Sequence, residues 1–374
     1  MPLADIDLAG APAGHRIVVA MSGGVDSSVT AAILVRAGFE VVGITLQLYD
    51  HGRATGKKGA CCAGQDVRDA ARVAERLGIP HYVLDYEARF RDAVIEDFAD
   101  SYRRGETPVP CIRCNERIKF RDLLGTAREL GASALATGHY ARRVPGSCGA
   151  ELHRARDLAR DQSYFLSRTT QAELDFLRFP LGPLAKDETR ALARDFALPV
   201  ADKPDSQDIC FVPHGSYAAL VTRLRPESGE PGDIVDRAGQ VLGRHKGIAH
   251  FTVGQRKGLG LSAAEPLYVL RIEAATRRIV VGPQAALGAT RIALAELNWL
   301  GVPLSSGESV PVAAKLRSAQ PPVPATLHPG NGTVAELVLA APAGAVAPGQ
   351  AAVLYDGERV LGGGWIRRPE AVAA

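Results

Sequence analysis

The 374-residue chain is 46% hydrophobic and 23% charged, a globular profile that excludes a low-complexity or disordered polymer, and it is long enough for two or three domains. A formal net charge of +3 permits a polyanionic partner without demanding one. The start "MPLADIDLAGAPAGHR" has no basic stretch followed by an apolar run, and no apolar run is long enough for a bilayer, so neither a signal peptide nor a membrane partner is expected and a cytoplasmic location is.

In chain order, "HRIVVAM" (15–21) is a short apolar run suited to a buried parallel strand. "SSVTAAILVRAGF" predicts the following helix, stopped at Gly38. "EVVGITLQLY" (40–49) predicts a second strand, "DVRDAARVAERLGIP" an amphipathic helix ending at Gly78, and "HYVLDY" (81–86) a third strand. A helix is expected over 90–104 and another over "NERIKFRDLLGTARELGA", before a fourth strand, "ALATGHYA" (134–141), that runs into a loop. Strands alternating with helices imply a parallel sheet covered on both faces. After about Pro213, Gly, Pro and Val become frequent and short strand-like runs replace helices. "VPVAAKLRS", "TVAELVLAA" and "QAAVLYDGERVLGGGWI" suit a small barrel, with Asp-Gly marking a hairpin turn.

Between the first strand and its helix lies "AMSGGVDSS" (20–28). Gly23 and Gly24 let the backbone turn sharply and leave N–H groups outward, which with Ser22, Ser27 and the helix N-terminus make a pocket for anionic oxygen. The stretch is neither a Walker loop nor a dinucleotide fingerprint. It resembles the SGGxDS loop of the PP-loop ATP pyrophosphatase superfamily, whose members adenylate a substrate oxygen and release pyrophosphate. The resemblance implies that Ala20, Met21, Ser22, Gly23, Gly24, Val25, Asp26 and Ser27 bind ATP, with Asp26 helping to hold magnesium. The bland reading is a glycine turn capping an ordinary helix; the match at the required strand-to-helix junction weighs against it.

The chain has 6 cysteines. Without a secretory signal they read as thiols, ligands or catalytic groups. "PVPCIRCNERIKF" (108–120) carries Cys111 and Cys114, and "PDSQDICFVP" (204–213) carries Cys210. A thiolate attacks well and can carry a second sulfur as a persulfide. Arg113, Arg117, Lys119 and a helix start near Asn115 are expected to favour the Cys114 thiolate. Cys148 reads as inert, and Cys61 and Cys62 lie in a flexible-looking loop.

"MSGGVDSS", "RCNERIKF", "ATGHYAR", "DQSYFLS", "DSQDICFVP", "FTVGQRKGLG" and "GERVLGGGWI", in this order between His15 and Ile366, resemble the bacterial tRNA-specific 2-thiouridylases. The resemblance implies an α/β PP-loop catalytic domain at 1–213 with a parallel sheet, a small central tRNA-binding domain at 214–286 and a C-terminal β-barrel at 287–374. It implies an ATP-dependent sulfurtransferase, converting ATP to AMP and pyrophosphate, that adenylates the C2 oxygen of the wobble uridine of Lys, Glu and Gln tRNAs. Cys114 is then the nucleophile and Cys210 the persulfide carrier, Cys114 releasing the sulfur by joining Cys210 in a disulfide or assisting in another way. Leu46 and Gly138 are implied to line the adenine and ribose pocket; Val109, Pro110, Cys111, His139, Arg160, Asp161, Gln162, Arg317, Ser318 and Gln350 are implied to bind tRNA. The sulfur donor is a cysteine desulfurase or a persulfide relay protein, and a monomer is expected.

Cys111 departs from the family, where better-known members carry an acidic residue three before the nucleophile. That opens a second reading, in which Cys111, Cys114 and Cys210 hold an iron–sulfur cluster with one open iron. Zinc is disfavoured, since no second CxxC or paired His accompanies the first. A third reading is a different PP-loop ligase acting on small molecules, which would need an ammonia source and no persulfide cysteine. A fourth is a non-enzymatic RNA-binding protein that keeps a nucleotide loop. The basic, glycine-rich "GRHKGIAHFTVGQRKGLG" (243–260), with His245, Lys246, Arg256 and Lys257, fits a tRNA surface, although a charge run is more often a solvated face. Trp299 and Trp365 read as packing residues and His153 as structural or exposed.

Overall fold

The computed structural model describes residues 6–49, 62–205, 209–212, 216–304 and 307–368, without the side chains of 62 and 63. The chain divides into two compact units. The first holds residues 1–93, 112–211 and 358–360; the second holds 94–111, 212–357 and 361–374.

In the first unit, β1 (Arg16–Ala20), β2 (Glu40–Gln47), β3 (His81–Asp85), β4 (Ala134–Thr137) and the two-residue β7 (Leu177–Arg178) form one parallel sheet in the order β3-β2-β1-β4-β7. Ile17, Val18 and Val19 of β1 are fully buried, as expected of a central strand covered on both faces. The helix α1 (Val25–Arg36) follows β1, and its apolar residues bury on nearly every side because it packs on the middle of the sheet. The helix α2 (Cys62–Leu77) follows β2; it begins earlier than the sequence periodicity predicts. An antiparallel hairpin of β5 (Ala141–Gly146) and β6 (Gly149–Arg154) comes next, with Arg359 and Val360 paired on β6.

Three departures from the expected elements have local causes. The helix expected over 90–104 is three pieces, Glu87–Phe90, a π-helical Arg91–Ile95 and Glu96–Arg103. The cysteine helix is also composite: Pro110–Cys114 runs into a π-helical Asn115–Leu123 and then Leu124–Glu129. Side-chain periodicity does not separate these hydrogen-bonding registers. The helix Gln171–Phe176 opens with a capping box, in which Thr170 accepts from the Glu173 amide and Glu173 accepts from the Thr170 amide. Its T-x-x-E spacing was readable in the sequence.

The second unit contains β8 (Gly232–Val235), β9 (Val241–His245), β10 (Tyr268–Glu273) and β11 (Arg278–Gly282) in one sheet of order β10-β11-β8-β9. Ile234, Ile248, Phe251, Val269, Ile279 and Val281 form its core. An eight-residue helix, Tyr217–Leu224, stands just after the point where strand texture was expected to take over. Tyr217 stacks on Tyr102 at 5.1 Å, and Arg225 bonds Asp100 and Glu96, each at 2.8 Å. Six strands, β12 (Ala289–Trp299), β13 (Val310–Lys315), β14 (Val323–Pro329), β15 (Ala335–Ala343), β16 (Ala351–Asp356) and β17 (Arg359–Ile366), then close into a barrel through β12–β17 pairing. Closure removes sheet edges. The fold class is thus the expected one: a parallel-sheet domain, a small central domain and a β-barrel. Among the described residues no helix is long and apolar enough to cross a membrane.

Gly362 makes the barrel seam possible. Its φ is +131°, and a methyl group there would lie 2.0 Å from the Asn298 carbonyl oxygen on the facing strand. Gly362→Ala is expected to destabilise the barrel by roughly 2–4 kcal/mol, from strain and a forced strand separation. Both tryptophans of the chain, Trp299 and Trp365, lie on the two seam strands. Tryptophan fluorescence during urea unfolding therefore reads the barrel directly, and its midpoint should fall.

Candidate active site

The first unit's strand order reverses between β1 and β4, which leaves a crevice at their carboxyl ends, the usual ligand position of an open α/β sheet. The loop Met21–Gly24 leaves β1 there and the turn Gly138–Tyr140 leaves β4. The turn after β4 packs against the first turn of α1, and that approach requires glycine: a methyl on Gly138 would stand 2.7 Å from the Ser27 amide nitrogen. Gly23 has φ +74°, and a methyl on it would meet the Asp66 carbonyl oxygen at 2.1 Å. The Ser22 amide donates inward to Ser27 Oγ at 3.1 Å, closing the loop on itself. Behind it, Thr45 Oγ1 donates to the Met21 carbonyl at 2.8 Å. That spends the hydroxyl proton, so His81 Nε2 must donate to Thr45 across their 2.8 Å contact. Burial lowers the His81 pKa, which favours this neutral tautomer.

Two lysines from distant sequence meet the loop. Lys186, at the start of the helix Lys186–Asp195, bonds both oxygens of Asp26 at 2.8 and 3.0 Å and bridges to Asp205 at 2.8 Å. The Tyr140 hydroxyl donates to Asp26 Oδ1 at 3.0 Å and lies 3.0 Å from Thr189 Oγ1. Burial and the neighbouring Asp26 charge push the Tyr140 pKa up, so it stays a donor. Asp205 also binds Arg190 at 2.9 Å and Arg160 at 3.0 Å. Burial works to raise the Asp205 pKa, but the Lys186 hydrogen bond and the charges of Lys186, Arg190 and Arg160 outweigh it and hold the carboxyl below its usual range. Lys203 donates to the Gly23 carbonyl, to Asp66 and to Asp69. Lys186, Lys203, Asp205 and Tyr140 escaped the sequence reading. The loop's own pattern was local, whereas these partners lie far along the chain.

Cys114 and Cys210 belong to the same compact unit as the loop. Cys114 is buried at 8% exposure, while Cys210 is exposed and Phe211 beside it packs edge-on against Phe90 at 5.8 Å. One expectation about Cys114 needs correction. The helix carrying Cys111 and Cys114 starts at Pro110, so Cys114 continues into helical backbone instead of preceding a helix start near Asn115. The helix dipole therefore gives Cys114 no special help. Arg113 is also paired, with Glu116 at 2.9 Å, and Arg117 donates to the Ala93 carbonyl at 2.9 Å. Among the described residues no group of three or more His, Cys, Asp or Glu is gathered to hold a metal. Cys111 falls in the second unit and Cys114 and Cys210 in the first, and no reaction step is routed through a cluster. Cys61 lies outside the described residues, as does the side chain of Cys62.

The residues expected to touch RNA divide by their engagement. Arg160 is exposed, although paired with Asp205. The Asp161 carboxylate is 1% exposed and accepts from Arg154, Ala155 and Ser163, and Gln162 holds the Tyr140 amide; both brace the turn after β4. His139 is half-buried, its ring packed between Phe120 and Phe179. Burial and the Lys119 charge push its pKa well below the ordinary value, so it is neutral. Leu46 and Gly138 are partly exposed at the ends of β2 and β4. In the second unit Pro110 is buried, Val109 partly so, and Cys111 and Ser318 are exposed. Arg317 instead clamps the Val253 and Ala345 carbonyls, and Gln350 donates to the Thr107 carbonyl. Lys246, Arg256 and Lys257 are exposed. His245, expected among them, is buried; it accepts from the Gly247 amide and faces the Arg277 carbonyl, so it belongs to the scaffold. His153 pairs with Glu151, and Trp299 and Trp365 sit in the barrel strands, as expected.

Residues 15–214 match the family model described as the tRNA methyl transferase HUP domain, 220–283 the tRNA methyl transferase PRC-barrel domain, and 289–366 the aminomethyltransferase beta-barrel domain. The tRNA-specific 2-thiouridylase MnmA of Methylobacterium radiotolerans is 62% identical over 376 residues, covering 99% of this chain and 98% of that protein. Its counterpart in Rhodospirillum centenum is 62% identical over 372 residues, covering 97% and 94%. That of Paracoccus denitrificans is 62% identical over 359 residues, covering 95% and 92%.

Gly138→Ala tests the close approach of the β4 turn to the first turn of α1. The added methyl must push on the Ser27 amide, so ATP affinity is expected to fall at least roughly tenfold, as for other small displacements in a binding site. Titration calorimetry measures it, with the melting temperature as a control on folding.

Proposed function

The chain belongs to the tRNA-specific 2-thiouridylase family, and from that membership we propose how it converts a tRNA uridine to 2-thiouridine at the expense of ATP. The observation that carries the reading is that the phosphate loop and Cys210 share one compact unit, with Lys186 bonded both to Asp26 of the loop and to Asp205 of the Cys210 stretch. The family model's description mentions methyl transfer, but a methyltransferase has no need of an adenylating loop or of a sulfur-bearing thiol.

A carbonyl oxygen is a poor leaving group. ATP bound at Ala20–Ser27 would let the uridine C2 oxygen attack the α-phosphorus, with loss of pyrophosphate and of the N3 proton. The terminal sulfur of a Cys210 persulfide then forms a bond to C2, and AMP leaves with its oxygen. Attack of the Cys114 thiolate on the inner sulfur breaks the S–S bond, leaves 2-thiouridine, and joins Cys114 to Cys210 in a disulfide that an external thiol must reduce. The preorganised amides of the loop serve the first step by meeting phosphate charge without reorganisation. Magnesium accompanying ATP would draw on the Asp26 carboxylate, which Lys186 and Tyr140 already engage.

The substrate is the wobble uridine of Lys, Glu and Gln tRNAs. A single-stranded anticodon loop lets its base be extruded at little expense. Exposed Lys246, Arg256 and Lys257, set among glycines, supply phosphate contacts that weaken with salt through counterion release. A cysteine desulfurase or a persulfide relay protein supplies sulfur, and the work is cytoplasmic.

Cys210→Ser should abolish 2-thiouridine formation, measured by mass spectrometry of digested tRNA, while tRNA-dependent pyrophosphate release persists. Thiolation surviving in that variant would sink the proposal. Cys111→Ser should retain most activity, since a thiol in place of the family's acidic residue has no assigned step here. Iron and acid-labile sulfide measured in anaerobically purified wild type and variant decide against this if the metal is present in wild type and lost together with thiolation in the variant.

A further inference from the structure

Lys203 has no part in the reaction above, yet its ammonium touches the phosphate loop directly. It donates to the Gly23 carbonyl at 3.0 Å, to Asp66 Oδ1 at 2.7 Å and to Asp69 Oδ2 at 2.6 Å. An ammonium has three N–H donors, and here all three are used. Asp66 and Asp69 lie three apart on α2 and so share a face of that helix. The geometry joins three separate pieces of chain: the loop after β1, the first turns of α2, and the stretch that precedes Asp205.

The Gly23 carbonyl is the informative acceptor. A trans peptide is planar, with its C=O and the next N–H antiparallel. Holding the Gly23 oxygen toward Lys203 therefore turns the Gly24 amide the opposite way, at the N-terminus of α1. The Ser22 amide is already committed inward to Ser27 Oγ. What the loop offers to an anion thus depends on how the Gly23–Gly24 peptide is set, and Gly23, at φ +74°, lacks the side chain that would restrict it. The loop also cannot drop toward α2, because Gly23 already lies against the Asp66 backbone. Lys203 remains charged at neutral pH: burial works to lower its pKa, but the bonds and charges of Asp66 and Asp69 outweigh this and raise it.

We propose that Lys203 is a positioning residue for nucleotide binding, which sets the Gly23–Gly24 peptide so that the loop presents its amides to a polyphosphate before one arrives. It acts through the loop backbone and not as a phosphate ligand, since its three donors are spent. The inference rests on the reading of Ala20–Ser27 as an ATP site.

The test measures ATP affinity by titration calorimetry, and KM for ATP against kcat by pyrophosphate release, in the full-length protein. Lys203→Met should raise Kd and KM for ATP about tenfold or more, with KM for tRNA unchanged. Lys203→Arg, which keeps a cationic donor to the carbonyl, should recover much of the loss. Because Lys203→Met leaves two carboxylates without their counterion, the double variant Lys203→Met/Asp69→Asn guards against a folding failure; it should fold and still bind ATP weakly. Asp69→Asn alone separates the two roles by sign. If Lys203 positions the loop, loosening its tether weakens ATP binding; if it is a phosphate ligand, freeing it strengthens binding and the inference falls. Unchanged affinity in both Lys203→Met and the double variant also overturns it. Failure of the wild type itself to bind ATP would instead overturn the reading of the site.

Discussion

The close contact of the turn after β4 with the first turn of α1, at the reversal of strand order, is what the rest of the site depends on. The two can meet only because Gly138 has no side chain to hold the Ser27 amide away. Parallel strands of a doubly covered sheet all end on one side, and at the reversal their loops turn to opposite faces, leaving space between them. Short strands suffice, since β1 contributes five residues and β4 four. Burial of Ile17, Val18 and Val19 in β1 and of all four residues of β4 makes the sheet a rigid base, so loop geometry is inherited from the core.

On that base the site is assembled mainly by charge. Asp26, Asp66, Asp69 and Asp205 are acidic groups near a place intended for a polyanion, which would repel it if left bare. Each is bound to a cation: Asp26 and Asp205 to Lys186, Asp66 and Asp69 to Lys203, and Asp205 also to Arg160 and Arg190. Partly buried pairs of this kind contribute little net stability and much geometric definition. The carboxylates hold lysines in place, and the lysines hold backbone and loop in place.

Much of this was legible in the residues. The glycine loop, the strand–helix alternation and the barrel texture are contiguous patterns, and each appears where the sequence places it. The Asp356-Gly357 signal also holds, with Gly357 at φ +57° as the first of two turn residues between β16 and β17. Cys114 shows where such reading fails. A basic run after a cysteine looked like a helix beginning near Asn115, but Pro110 is pre-organised for a first helical turn and starts the helix five residues earlier. Asp161 and His245, polar residues in an RNA-like context, make internal hydrogen bonds in the fold that a linear reading does not show.

The sequence by itself supplied the groups on which the proposed chemistry rests: a glycine loop, the cysteine thiols, and a basic glycine-rich segment. These are properties of neighbouring residues and survive in a linear reading. Only the tertiary structure decided which charges serve the loop. Lys186 meets Asp26 across 160 residues of chain and Lys203 meets Gly23 across 180. Such pairings follow no helical or strand period, because a long side chain reaches its partner through space that only the packed sheet and helices define.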